Sequence, residues 1–301
     1  MKVILCYDMP KRDKSNTRPR LDKQIEFLLH YLPFAGHSPV ALGFVGSPEK
    51  YAQTVRALNP DLLWNLFDSF QGVESLSYMG ALLLDDIAIQ ESSKPSSLIV
   101  GSPTQTLLFT ANKPVLLALL KEAGIAALGC VSLGDPAERL PGKRWLLRPL
   151  SGNGKELAIE ASSAEDLQRA ILLQFLQGEY YAEQHIEGRQ FYAAMLGKSD
   201  IRPVAIGEIM PNKTVAFRIQ DKALLAKMQD AAIKCARLFQ LDGFGAISFV
   251  LEGSEPYISK VDARPMLTER SLFTQACASA GIAPAHMMAT IIAARGRVNE
   301  R

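Results

Sequence analysis

The feature that most constrains this chain is a change of rhythm along it. As far as Leu84, strand-like and helix-like segments alternate; beyond Tyr180, strands follow one another. Val3–Cys6, Val40–Val45 and Asp61–Phe67 are short apolar runs of strand character. Leu21–Leu32 carries Ile25, Leu28, Leu29 and Leu32 at helical spacing. Ser47 stands as an N-cap before Pro48–Leu58, with Pro48 at the first helical position. Ser75–Leu84 reads as a third helix. A βαβαβα order predicts a small parallel sheet with helices on its faces.

The middle of the chain reads as a separate unit. The polar run Ser92–Ser97 marks a boundary. Asn112 caps a helix that begins at Lys113-Pro114 and closes at Gly124. Arg144–Leu150 and Glu156–Glu160 form a hairpin around the tip Ser151-Gly152-Asn153-Gly154-Lys155, and Ala164–Leu176 is an amphipathic helix. In the last third, Tyr180–Ile186, Gln190–Leu196 and Val204–Met210 are strands joined by short turns, which predicts a largely antiparallel sheet. A long helix over Lys222–Phe239 follows, then a hairpin of Phe244–Leu251 and Tyr257–Val261. Two helices, near Glu269–Ala280 and Ala285–Ala294, come last. The fold class is α/β, with units expected over 1–96, 97–180 and 181–301.

Composition narrows the function classes. The 33 basic and 31 acidic side chains leave a formal charge of +2, which argues against a strongly basic nucleic-acid binder. No stretch approaches the roughly 20 apolar residues of a membrane helix. Cys6, Cys130, Cys235 and Cys277 are far apart and form no CxxC, so they read as thiols in a reducing cytosol. The four histidines are equally scattered.

Three places could hold chemistry. The Ser151–Lys155 tip lets backbone N–H groups approach an anion. Strand alternation puts Arg144, Leu146 and Arg148 on one face, so Arg148 could reach a phosphate there. Taken alone, the tip is an ordinary hairpin turn and Arg148 a surface arginine. Lys260 and Asp262, two apart on one strand, share a face. Asp262 could serve Mg²⁺, which prefers carboxylates and phosphate oxygens, but Lys260 and Arg264 would repel a cation. By themselves Lys260 and Asp262 form a surface ion pair. The third place is Glu183-Gln184-His185-Ile186, which has the look of a hinge.

In this order, these segments resemble the ATP-grasp superfamily and, within it, the D-alanine–D-alanine ligase family. The similarity spans most of the chain. Asn65-Leu66-Phe67 with Gly72, Glu74 and Gly80 is similar to the family's first-domain strand, loop and helix. Gly101-Ser102 before Asn112-Lys113 resembles the segment ahead of a phosphate-contacting lysine. Leu147-Arg148-Pro149 sits where the family has "vKP". Tyr181–Ile186 resembles the adenine-holding hinge, and Gly188-Arg189-Gln190-Phe191 resembles "GxEf". Gly207–Pro211 is similar to "eIxP", and Gly243-Phe244-Gly245 with Asp262–Pro265 to the family's carboxy-terminal motif.

The resemblance implies a parallel-sheet domain followed by a two-part ATP-grasp module, and an ATP-dependent carboxylate–amine ligase working through an acyl phosphate. Lys113 and Arg148 would contact phosphates, and Ser151 and Gly152 would belong to a shortened lid. Glu183, Gln184 and Ile186 would hold adenine, and Gln190 would lie near the ribose. Glu74 and Ser271 would meet substrate. It also implies small carboxylate and amine partners and a homodimer, with no nucleic acid and no membrane.

The departures fall on the charged positions. The family's intermediate-stabilising arginine corresponds to Ala246, and its metal aspartate, glutamate and asparagine to Ser248, Lys260 and Asp262. The phosphate lysine is Arg148 and the ribose glutamate is Gln190. Two unit charges about 4 Å apart are worth about 4 kcal/mol at an effective dielectric of 20, so lysine for glutamate turns cation attraction into repulsion. Asp262 remains as the one ordinary metal ligand, and Lys260 could touch phosphate in place of a metal, sharing the catalytic charge with Arg148. Three readings stay open: a ligase with altered metal use, a catalytically degenerate relative that binds nucleotide or a protein partner, or a structural subunit that has lost ATP as well.

Overall fold

The architecture was read from a computed structural model, which describes residues 1–9, 19–91, 98–132, 144–150, 157–161, 163–175, 180–197, 200–210 and 215–294. The first sheet is built from β1 (Lys2–Asp8), then α1 (Pro19–Tyr31), β2 (Ser38–Phe44), α2 (Pro48–Leu58), β3 (Leu62–Asn65), α3 (Ser77–Glu91) and β4 (Ile99–Val100). Its strand order is β2-β1-β3-β4, every pair parallel, as the alternation predicts. Both faces are covered. Ile4, Cys6 and Leu63 point into a core with Tyr51 and Val55 of α2 and Leu84 and Ile87 of α3. Val3, Leu5, Leu62 and Trp64 point the other way. Ser47 caps α2, its hydroxyl accepting from the Lys50 N–H at 3.3 Å. The third strand stops at Asn65, not Phe67, because the Asn65 side chain takes the Phe67 N–H at 3.1 Å and turns the chain.

The second sheet follows α4 (Thr104–Ala111) and α5 (Lys113–Glu122), and comprises β5 (Cys130–Ser132), β6 (Arg144–Pro149), β7 (Leu157–Glu160), α6 (Ala164–Phe175) and β8 (Tyr180–Gln184). It is antiparallel, in the order β5-β8-β6-β7. The third sheet, also antiparallel, takes β9 (Gln190–Gly197), β10 (Arg202–Ile209), β11 (Val215–Ala216), α7 (Lys222–Leu238), β12 (Gly243–Glu252) and β13 (Glu255–Asp262), in the order β11-β10-β9-β12-β13. α8 (Leu272–Ser279) and α9 (Pro284–Ala293) complete the described chain.

One expectation is corrected here. The strand at Tyr180 does not join the strands at Gln190 and Val204 in one sheet; β8 lies between β5 and β6. Both of its edges are occupied, and at its end Gln184 N–H donates to the Gly129 carbonyl at 2.8 Å and His185 N–H to the Arg144 carbonyl at 2.9 Å. The chain then crosses to the third sheet through Gly188, where a Cβ would overlap the Leu251 carbonyl oxygen. The expected boundary after residue 96 lies outside the described residues.

The third sheet is the hub. One face carries Phe191, Ala193, Met195, Ile247 and Phe249 against α7 and α5. The other carries Tyr192, Ala194, Phe244 and Ala246 against α8, α9 and the inner face of the first sheet. Trp64, Phe244 and Phe273 form a chain of tilted and edge-on ring contacts, with centroids 6.2 and 5.9 Å apart. No single helix among the described residues is long and apolar enough to cross a membrane.

α3 packs so closely on the first sheet that a Cβ at Gly80 would fall inside the Phe67 ring, and Phe67 is fully buried. Gly80→Ala should therefore destabilise the chain by about 1–3 kcal/mol through overpacking. Urea unfolding should show a lower midpoint at unchanged slope; an unchanged midpoint would mean that α3 has room to move.

Candidate functional site

The site begins with the pleat of β6. Trp145 and Leu147 are buried against Leu167 and Ile171 of α6, so Leu146 and Arg148 face the other way. The register places Leu146 opposite Glu183 and Arg148 opposite Tyr181 on β8, which puts Glu183 on the same face as Arg148. Asn112 caps α5 by accepting the Val115 N–H at 3.2 Å, and this sets Lys113 as the first helical residue. Its ammonium lies 2.8 Å from Glu183 Oε2, while Arg148 Nε lies 3.5 Å from Glu183 Oε1. Lys113 also donates to the Ser259 carbonyl oxygen.

That last bond depends on an irregularity in β13. Ser248 pairs with Lys260, yet the next residue, Phe249, pairs with Ile258. Ser259 is the extra residue of a β-bulge, and its carbonyl is free to turn towards Lys113. Three residues expected at a common site, Lys113, Arg148 and Glu183, therefore do meet, and they meet where the second sheet approaches the edge strand of the third. Glu183 is only 5% exposed. A buried carboxylate needs compensating charge, and the two cations supply it.

Across from this cluster, Tyr192, Ser248 and Lys260 form one cross-strand row, and Ala194, Ala246 and Asp262 the next. Lys260 Nζ lies 3.3 Å from Asp262 Oδ2, and Asp262 Oδ1 accepts the Arg264 N–H at 3.1 Å. Burial pushes the Tyr192 hydroxyl well above the ordinary phenol range, helped by the Asp262 charge. Burial also draws Arg264 below the usual guanidinium value, opposed by Asp262 and Asp68. Among the described residues no group of three or more His, Cys, Asp or Glu could hold a metal ion. The residues at the Asp262 position do not fit Mg²⁺: one carboxylate, already shared by a lysine and a backbone N–H, is not the oxygen-rich donor set that ion requires.

The remaining expected residues fall in different places. Lys260, Asp262, Ser248 and Ser271 line one cavity of about 1200 Å³, with Lys23 and Glu26 of α1 on its far wall. Ser271 also caps α8, accepting the Thr274 N–H at 3.3 Å. Gln184 is buried, and its side-chain oxygen accepts the Gly129 N–H at 3.0 Å, so the side chain serves the β5–β8 junction. Ile186 is half-buried against the core that contains α5 and α7. Gln190 is exposed at the start of β9. Glu74 is exposed in a short 3-10 turn ahead of α3 and does not line the cavity of Lys260 and Ser271. Ser151 and Gly152 lie outside the described residues. Sequence reasoning missed the Ser259 carbonyl and the α1 wall. A bulge leaves no compositional trace, and α1 shows only its apolar stripe.

Residues 214–293 match the family described as D-ala D-ala ligase C-terminus. A D-alanine–D-alanine ligase of Desulfotalea psychrophila is 26% identical over 133 residues, 38% of this chain; the match spans about two fifths (41%) of that relative's length. The D-alanine–D-alanine ligase from Bacillus anthracis complexed with ATP superposes with a TM-score of 0.74 at 14% identity, over 99% of this chain and 98% of that one. The Coxiella burnetii enzyme superposes at 0.71 and 16% identity, over 100% and 95%. The chain has the fold of the D-alanine–D-alanine ligases, an ATP-grasp fold, and its last third resembles the C-terminal part of that family. The Lys113–Glu183–Arg148 cluster joins α5 to the second sheet and reaches the third through the Ser259 carbonyl, and Lys260 stands on the face of the third sheet.

If the cluster is one electrostatic unit, Lys113→Ala should destabilise the chain by about 3 kcal/mol, because Glu183 loses its nearer partner while buried. Adding Glu183→Gln should recover part of that loss. A double-mutant cycle by chemical unfolding would measure the coupling; strictly additive effects would show that the two side chains do not act together.

Proposed function

We propose that this protein binds ATP in the cleft between the second and third sheets and acts as a carboxylate–amine ligase of the D-alanine–D-alanine ligase type without a conventional divalent-metal seat. The observation that carries the reading is the meeting of Lys113, Arg148 and Glu183 beside the Ser259 bulge, with Lys260 next along the same strand. ATP would supply a phosphoryl group to activate a carboxylate. The chain's own residues would bind and orient it: Lys113 and Arg148 offer charge-assisted hydrogen bonds to phosphate oxygens. Lys260 adds a positive charge where a metal would otherwise sit. Leu146, on the same face as Arg148 and Glu183, offers apolar surface to a base. The cavity of Ser248, Lys260 and Ser271 adjoins this row and has room for a small carboxylate and an amine.

A second reading has its own observation. Ala246 and Ser248 leave two positions of the third sheet without charge, and such a surface favours holding nucleotide over stabilising charge as it develops. The two readings share ATP binding and part at turnover.

Isothermal titration with ATP, in EDTA and in Mg²⁺, tests the shared part. Affinity should be similar in both, and Lys260→Gln should weaken it about tenfold, equivalent to about 1.4 kcal/mol. No binding heat in either buffer would refute the proposal. ADP release in mixtures of amino acids separates ligation from binding alone. The pair Lys260→Glu and Ser248→Asp should create a dependence on Mg²⁺ that the parent chain lacks.

A further inference from the structure

A small cavity of about 170 Å³ lies along the C-terminal end of β13, between that strand and the helices α3 and α4. Ser77, Thr110, Lys260 and Arg264 give it its polar lining. Its size falls below the roughly 300–1,000 Å³ of sites that take drug-sized ligands, so it suits a compact group and not a nucleoside. Arg264 is half-buried at this seam. Its guanidinium has five N–H donors. Among the described residues it makes one side-chain hydrogen bond, a long one of 3.5 Å from Nη1 to Asn65 Oδ1. The Ser77 hydroxyl, also half-buried, has no side-chain partner among the described residues. Asp262 is the one carboxylate on the wall, and it is shared between Lys260 and the Arg264 backbone N–H. Asp68 acts on Arg264 from outside the wall and is exposed to solvent. The wall therefore carries two cations to one anion, with donors that nothing on the wall uses.

We propose that this cavity is a phosphate-sized oxyanion site, in which the Arg264 guanidinium, the Lys260 ammonium and the Ser77 hydroxyl hold a phosphate group without a divalent cation. The group is either the terminal phosphate of a bound nucleotide or free inorganic phosphate. The chemistry is the same: a planar guanidinium matches two phosphate oxygens, and the ammonium adds a point charge. Lys113 bonds the Ser259 carbonyl, one residue before Lys260, so the cavity continues the row of cations that begins at Arg148. Only the first alternative rests on the ATP-binding reading. Because the walls come from α3, α4 and β13, an anion here would also draw the first and third sheets together.

The test uses the full chain in EDTA, titrated separately with inorganic phosphate, ATP and AMP, for the parent and for Arg264→Gln. The expected result is that phosphate binds the parent and competes with ATP, that ATP binds at least tenfold tighter than AMP, and that Arg264→Gln loses phosphate binding and closes the ATP–AMP gap. If phosphate binds and Arg264→Gln abolishes it while neither nucleotide binds, the anion site stands with free phosphate as its ligand, and the nucleotide reading falls. If ATP binds the parent and Arg264→Gln alike, with phosphate affinity unchanged, the nucleotide reading stands and the oxyanion site is overturned. Should Arg264→Gln fail to fold, Arg264→Lys and Ser77→Ala carry the test: each should weaken phosphate binding several-fold, and parental affinity in both would overturn the site.

Discussion

Much of this structure depends on one buried carboxylate. Glu183 sits almost without solvent on the cleft face of the second sheet. It is tolerable there because Lys113 reaches it from the start of α5 and Arg148 from the neighbouring strand. Three separate requirements must be met for that geometry. Asn112 has to begin α5 one residue before Lys113, Trp145 and Leu147 have to turn Arg148 outward, and Ser259 has to bulge so that its carbonyl takes a second Lys113 donor. A buried ion cluster of this kind adds little net stability over a well-packed apolar one. Its value lies in fixing where the second sheet stands against the third, and in lining the gap between them with donors.

The same economy of charge governs β13. Lys260 and Arg264 flank Asp262, and that carboxylate is engaged by both, through the ammonium of one and the backbone N–H of the other. In water such pairs are worth little. Facing a cleft, they set its sign: the wall offers hydrogen-bond donors to oxyanions and a poor seat to a divalent cation. The identity of single side chains at Ser248, Lys260 and Arg264 thus bears on what the cleft can hold without altering the sheet that carries them.

Much of the fold was legible in the sequence because its signals are local. The Ser47-Pro48 start of α2, the Asn112 cap of α5, and the alternation from Val3 to Leu84 each rest on a few adjacent residues. What escaped was either too short or not local. β4 has two residues and β5 three, below the length at which a period can be recognised. α4 follows Pro103 with a run, Thr104–Ala111, too short and too uniformly apolar to show a face. The assignment of β8 to the second sheet follows from which edges it meets, and sequence proximity to β9 points the wrong way. At the site, the face shared by Arg144, Leu146 and Arg148 and the pairing of Lys260 with Asp262 could be read from strand alternation. The union of Lys113 with Glu183, seventy residues apart, was reachable only through the family resemblance. The Ser259 bulge and the single weak bond of Arg264 belong to packing and had no sequence signal.

In the proposed function, fixed cations and not a metal meet phosphate in this cleft. A crystal structure with a non-hydrolysable ATP analogue and Mn²⁺, read by anomalous scattering at the manganese edge, addresses it most directly. The expected result is the triphosphate in contact with Lys113, Arg148 and Lys260, and no manganese peak on Asp262. A manganese ion bridging Asp262 to the phosphates, or an analogue bound away from these three side chains, would contradict it.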